Sequence, residues 1–191
     1  AEYADYYERA LYNHILASQN PQTGMMCYFV PLRMGTKKEF SDPFNTFTCC
    51  VGSGMENHSK YTESIYLEGK DGSLYVNLFI PSELNWRSNN ITIRQETKFP
   101  ESNQVSFSVK AATPKTMKLR IRQPNWSAPA VITVNNQPGA AKQDEAGYWV
   151  INRMWGVDDK VQATFSMDLH TEGMPDNANR IALLCGPVVM A

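Results

Sequence analysis

The chain has 191 residues, a formal net charge of -1, 42% hydrophobic and 11% aromatic content. That balance excludes the usual electrostatic footprint of a nucleic-acid or anionic-membrane binder and allows a substantial buried core. No apolar run is long enough to cross a bilayer and no charged-then-apolar leader opens the chain, so neither a transmembrane helix nor an intact signal peptide is expected; a periplasmic or secreted address stays open.

In chain order, Ala4, Tyr7, Leu11 and Ile15 fall on one helical stripe, with Tyr3 and Ala10 beside it, and predict an amphipathic helix that ends near Asn20-Pro21. Met25 to Leu32 is short, apolar and strand-like. The polar stretch from Gly35 to Phe47, with its Asp42-Pro43 turn signal, reads as a loop. A second helix is expected from about Ser53 to Gly69, with Met55, Tyr61, Thr62 and Ile65 near one face. A start at Ser53 or Gly54 would put free backbone N-H groups close to Cys50.

After Asp71-Gly72 helical spacing disappears. Leu74 to Ile80, Ile91 to Ile93, Val105 to Val109, Met117 to Ile121, Val131 to Val134, Tyr148 to Ile151, Val161 to Phe165 and Ile181 to Leu184 read as strands separated by turn residues such as Asn135-Asn136 and Pro138-Gly139. Such a series argues for a sandwich or barrel. The chain is therefore divided near residue 70, into a helical piece, 1–70, and a β-sandwich, 71–191. Two helices and a long loop bury little surface, so the first piece is expected either to pack on the sandwich or to complete a larger helical domain lying upstream.

Four cysteines, Cys27, Cys49, Cys50 and Cys185, are too few and too irregular for a disulfide framework, so reduced thiols are expected. Cys49 and Cys50 are adjacent. Neighbours rarely bond to each other because the small ring strains both the peptide and the disulfide torsion. Two readings remain: thiolate chemistry, as metal ligand or as nucleophile, and plain packing of small apolar side chains. Glu56 and His58 follow on the same segment and are candidate substrate contacts. His14 is better explained by helix packing, and His170 has no partner nearby in sequence. Trp86, Trp126, Trp149 and Trp155 fit a sandwich core better than sugar stacking. The chain carries no glycine-rich phosphate loop, no paired-histidine zinc motif and no serine nucleophile elbow.

The run Tyr3-Ala4-Asp5-Tyr6-Tyr7-Glu8-Arg9-Ala10-Leu11-Tyr12-Asn13, then Tyr28-Phe29-Val30-Pro31-Leu32, then Cys49-Cys50-Val51-Gly52-Ser53-Gly54-Met55-Glu56-Asn57-His58-Ser59-Lys60-Tyr61 resembles the β-L-arabinofuranosidases of glycoside hydrolase family 127 and its relative family 146. The likeness is strong over the first 70 residues and weaker through Arg120-Ile121-Arg122-Gln123-Pro124-Asn125-Trp126 and Leu184-Cys185-Gly186-Pro187-Val188-Val189. It implies a mainly β chain in which a β-sandwich is preceded by two helices that look like the end of an (α/α)6 barrel. It further implies a retaining hydrolase of arabinose-containing glycans in which Cys49 is the nucleophile, Cys49 and Cys50 bind zinc, and the zinc holds the thiolate. The family's acid/base glutamate, and the glutamate and cysteine completing its zinc site, lie upstream of the segment matching Tyr3 to Asn13. By that comparison this polypeptide alone is expected to be inactive. It should also bind zinc weakly, unless Cys27, His58 or Glu56 is recruited. The rival expectation is a non-catalytic β-sandwich that binds carbohydrate or braces a neighbouring domain.

Overall fold

The computed structural model describes residues 1–31, 33, 35–46 and 48–190. Leu32, expected to end a strand, and Phe47, expected to end the loop, lie outside the described residues.

The first helix, α1, spans Glu2–Ala10 and continues through a wider π turn, Leu11–Ile15, and a short 3-10 turn, Leu16–Ser18. The apolar stripe read from spacing is half-buried at Ala4, Tyr7 and Ile15 and buried at Leu11, but the packed side also takes in a glutamate. Glu8 and Leu11 are buried, Tyr12 packs against the sandwich core, and Tyr3 and Tyr6 face solvent. A glutamate can occupy the packed face because the sandwich offers it a countercharge, described below. Met25 to Pro31 forms no strand. Met26 and Cys27 are buried, but the segment makes only isolated bridges, Gln19 with Met26 and Cys27 with Phe40. Its backbone is satisfied by the loops on either side: the Cys27 amide donates to Ser18 O at 2.7 Å, and Met26 O accepts from the Ser41 amide at 2.9 Å.

The second helix, α2, spans Cys49–Ile65, so it begins four residues before Ser53 and takes both cysteines into its first turn. Gly54 faces inward, where a side chain would meet Met26; a methyl placed there would lie 2.5 Å from the Met26 methyl carbon. The helix thus seats on the buried methionine through a glycine.

The strands that follow are β1 (Tyr66–Glu68), β2 (Leu74–Val76), β3 (Ser82–Trp86), β4 (Ile91–Thr97), β5 (Gln104–Ala111), β6 (Lys115–Arg122) and β7 (Val131–Val134). They continue with β8 (Gln137–Pro138), β9 (Lys142–Gln143), β10 (Tyr148–Trp155), β11 (Asp159–Thr164), β12 (Leu169–Met174), β13 (Asn177–Cys185) and β14 (Val188–Val189). One sheet runs β1-β2-β6-β10-β9 and a second β3-β4-β5-β11-β7-β8; a small third sheet is β12-β13-β14. All pairings are antiparallel except β2 with β6, where Leu74 lies opposite Leu119 and Val76 opposite Ile121. Between β7 and β8 the two turn residues Asn135 and Asn136 both have positive φ, 51° and 64°, the conformation that a two-residue hairpin requires.

The core lies between the first two sheets. Val76, Met117, Leu119, Ile121, Ile151 and Trp155 from one meet Ile91, Ile93, Val105, Phe107, Val109, Val134 and Val161 from the other, which makes the molecule a β-sandwich. Trp86 and Trp155 are buried in it, and Trp126 and Trp149 pack against its edge, so the tryptophans serve packing as their strand placement predicts. Each indole N-H has an acceptor, Trp155 to Met117 O at 2.9 Å and Trp149 to Gln123 Oε1 at 2.8 Å among them.

The helical piece is fixed to the sandwich by charge. Arg122, at the end of β6 and fully buried, bonds Asp5 and Glu8 of α1 through its two terminal nitrogens and donates Nε to Asn77 O at 2.7 Å. Trp126 Nε1 donates to the other Glu8 oxygen at 2.8 Å. Burial pushes the Glu8 carboxyl up, while Arg122 and the Trp126 N-H pull it down.

Candidate functional site around the paired cysteines

The loop before α2 is shaped by its own side chains. Asp42 accepts the Phe44 and Asn45 amides, at 2.9 and 2.5 Å, and the Thr46 hydroxyl at 2.6 Å. The Thr46 hydroxyl, then the Asn45 and Phe44 amides, hold the Asp42 carboxyl down at about 2. The Asp42-Pro43 signal thus marks an Asx-type turn that aims the chain toward the helix start. Thr48 is extended, with φ -121° and ψ 159°, and its side chain does not cap the helix. Cys49 and Cys50 are therefore the first two helical residues, with the free N-H groups of the first turn at their own backbone. A helix start at Ser53 would have placed those groups beyond the cysteines; the observed start puts the positive end of the helix beneath them.

The two sulfurs are 4.0 Å apart, Cys49 exposed and Cys50 half-buried, and both thiols are free. The neighbouring Cys49, then Cys50, push the Tyr28 hydroxyl up. Burial, then the hydrogen bond shared with Cys49, pushes the Cys50 thiol up. Tyr28 lies 21 positions before Cys49 in sequence, so no local spacing reveals the contact. It lies on the Met25–Pro31 segment, and the reading from residue types alone assigns it no role.

The other sequence candidates lie apart. Cys27 is buried and its sulfur donates to Phe29 O at 3.0 Å. Glu56 and His58 are exposed on α2. Because the helix starts at Cys49, Glu56 stands two turns further on, roughly 10 Å along the axis, and His58 still further. The His58 ring packs edge-on to Tyr61 with centroids 5.4 Å apart. Among the described residues no hydrogen bond or ion pair links Glu56 or His58 to the cysteine pair, and no group of three or more His, Cys, Asp or Glu is gathered to hold a metal ion. No described helix is long and apolar enough to cross a membrane.

The cysteine pair fits part of a zinc site. Two thiolates bound tetrahedrally at about 2.3 Å would lie roughly 3.8 Å apart, close to the spacing here. Two sulfurs fill two of four positions, so the remaining ligands have to come from elsewhere.

Beside the pair, a cleft of about 580 Å³ is bounded by Met26, Tyr28, Phe29, Phe40, Thr46 and Thr48, among others. A second cavity, of about 280 Å³, lies between α1 and the sandwich, against Asp5, Glu8, Trp126 and Glu172.

Comparison with known proteins covers most of the chain. Residues 1–63 match the family model for the GH127 β-L-arabinofuranosidase catalytic domain, and residues 73–167 match that for the GH127 middle domain. No curated protein matches by sequence. Among solved structures, Ara127N-Se, a GH127 β-L-arabinofuranosidase from Geobacillus stearothermophilus T6, is 26% identical with a TM-score of 0.84 over 98% of this chain and 32% of its own. A protein described as a glycoside hydrolase is 22% identical with a TM-score of 0.83, covering 98% of this chain and 33% of its own. A GH127 β-arabinofuranosidase is 23% identical with a TM-score of 0.79, covering 98% and 32%. The last two likenesses speak for the fold. The chain spans about a third of the length of the structures it matches.

Proposed function

Because this chain belongs to glycoside hydrolase family 127, we propose that it supplies the nucleophile of a retaining β-L-arabinofuranosidase acting on arabinose-containing glycans. The observation that carries the reading is the pair of free thiols at the start of α2, with the sulfurs 4.0 Å apart and Cys49 the more exposed. In this reading residues 1–70 complete a larger helical catalytic domain and residues 71–191 brace it, the Arg122 grip on Asp5 and Glu8 serving as the joint.

The Cys49 thiolate attacks the anomeric carbon, forming the C–S bond as the glycosidic C–O bond breaks. A carboxylic acid delivers its proton to the departing oxygen. The resulting carboxylate then takes a proton from water, whose oxygen bonds to the anomeric carbon as the C–S bond breaks and the thiolate returns. That acid is expected from the upstream part of the catalytic domain. The N-terminal dipole of α2 favours negative charge on sulfur. Cys49 and Cys50 would hold a zinc ion together with ligands from the upstream segment, and zinc when bound would keep the sulfur deprotonated at neutral pH. Glu56 and His58, if they touch substrate, do so at its far end. The 191-residue chain alone is expected to release no sugar.

The test uses a protein that carries the remainder of the catalytic domain. Cys49→Ser should abolish release of arabinose, and Cys50→Ser should lower bound zinc below the roughly one ion per chain expected of a single four-ligand site. Turnover by Cys49→Ser at the parent rate would overturn the nucleophile assignment.

A further inference from the structure

Strand β13 is apolar on both of its faces and packed on one. Ile181, Ala182, Leu183, Leu184 and Cys185 run without a polar break, the pattern of a strand covered on both sides. One side is covered: Leu184 is buried, and Glu172, opposite Ala182 on β12, reaches back to Arg9 of α1 at 2.6 Å. The other side is bare. Leu169 lies opposite Cys185, and Ile181 and Leu183 alternate with Cys185 along β13, so they share one face, on which Leu169, Ile181 and Leu183 are 65%, 62% and 46% exposed.

Met190 joins them. Val188 and Val189 lie opposite Cys185 and Leu184, and the Met190 amide donates to Leu183 O at 2.8 Å. The ladder of β14 thus runs on past its last pair and brings Met190, itself exposed, beside Leu183 on the bare face. Gly173, opposite Ile181, adds no side chain, and a methyl placed there would meet nothing within 4 Å. An antiparallel sheet at a surface ordinarily turns a polar face to water; here water meets an apolar one.

The patch is small. Three strands about 4.8 Å apart and about five residues long present roughly 250 Å², well short of the about 800 Å² per partner that holds two separate chains together. A segment of the same polypeptide needs less, since its tether has already removed most of the association entropy. The third sheet, from Leu169 to Val189, lies beyond both family matches, 1–63 and 73–167, and the chain spans about a third of the structures it resembles. None of its residues belongs to the core of the sandwich. We infer that polypeptide lying beyond β14 packs on this face and makes Leu169, Ile181, Leu183 and Met190 one wall of a second core. Neither cysteine of the α2 pair takes part.

The experiment places a thiol on the face, Ile181→Cys, and follows its alkylation by peptide mapping. It compares the 191-residue chain with two longer proteins, one extended beyond β14 and one extended only upstream of α1. In the 191-residue chain the new thiol should react as an exposed one, and in the protein extended beyond β14 at least about tenfold more slowly, since it then reacts only when the covering segment opens. The upstream extension alone should leave the rate unchanged. Equal rates in all three proteins overturn the inference, as does slowing by the upstream extension alone. Slowing in the 191-residue chain as its concentration is raised would assign the face to a second copy, and a natural protein that stops directly after β14 would leave no segment to cover it; either result also overturns it.

Discussion

Arg122 on the sandwich and Glu8 on the first helix share a contact of 2.5 Å in which the arginine side chain is fully buried and the glutamate nearly so. Asp5 bonds the same guanidinium. Two carboxylates and one arginine are thus removed from water where helix and sandwich meet. Replacing the arginine leaves both carboxylates there without a countercharge. Arg122→Met should cost about 3–5 kcal/mol by urea unfolding at pH 7. The sign with pH follows from Glu8, whose folded carboxyl is pushed up by burial even with Arg122 present. A carboxyl raised in the folded state adds no penalty below its unfolded value of about 4.3, and the penalty grows as pH rises through the raised value. The cost of Arg122→Met should therefore be smaller at pH 4 than at pH 7; an equal cost at both would refute the buried-charge account.

Two glycines on α2 make a controlled pair. At Gly52 an added methyl meets nothing within 4 Å, whereas at Gly54 it lies 2.5 Å from one Met26 carbon and 2.9 Å from another. Gly52→Ala should raise stability by about 0.5–1 kcal/mol through the ordinary helix preference of alanine. Gly54→Ala should lose that gain and more, since the helix has to move off Met26. Thermal melts of both variants beside the parent would show the opposite signs.

Asp159 opens β11 and ties the β10–β11 turn, accepting the Gly156 amide at 2.6 Å and Asn135 Nδ2 at 2.7 Å, with Arg153 at 3.3 Å. Burial alone would raise its carboxyl, but the Gly156 amide, Asn135 and Arg153 prevail and hold it below the ordinary value. A carboxyl lowered in the folded state contributes stability above its unfolded value, about 3.9, and loses it as pH falls through the folded value. Asp159→Asn should cost about 1–2 kcal/mol at pH 7 and correspondingly less at pH 2. A cost independent of pH over that range would remove Asp159 from the list of groups that carry acid sensitivity.

Thiol exposure separates the cysteines in the chain as it stands. Cys49 is exposed, and Cys27 is 3% exposed with its sulfur bonded to a carbonyl. Alkylation followed by peptide mapping should label Cys49 at least about tenfold faster than Cys27, which reacts only when the segment opens. Equal rates would contradict the packing of the Met25–Pro31 segment.

How much of this was legible in advance depends on whether a residue acts locally. The long strands show in the alternation of Val105, Phe107 and Val109 or of Met117, Leu119 and Ile121, because one face of each is packed in the core. Strands β3 and β12 stayed hidden: Ser82–Trp86 buries only its last residue and Leu169–Met174 buries none, so neither carries a period to read. Met25 to Pro31 has the composition of a strand, yet its neighbours are loops and it has no ladder to join. The helix starts earlier than expected because Ser53 and Gly54 suit a helix start by residue type, whereas Gly54 lies inside the helix to make room for Met26. The cysteine pair was visible as a dipeptide. Its Tyr28 neighbour was not, because the two residues lie 21 positions apart in sequence. The Arg122 grip was equally hidden, since a glutamate on a helix and an arginine on a strand normally signal solvent-facing positions.

Asn13 sits in the π turn that follows α1, and its side-chain amide donates to Pro187 O at 2.8 Å and accepts from the Val189 amide at 2.8 Å. Those two bonds are the ones an additional strand would make along β14. A single asparagine thus occupies the hydrogen-bonding positions that an outer strand leaves available to a neighbouring chain. Asn13→Ala would free them, and the expected outcome is self-association through that border at high protein concentration, with the fold otherwise intact.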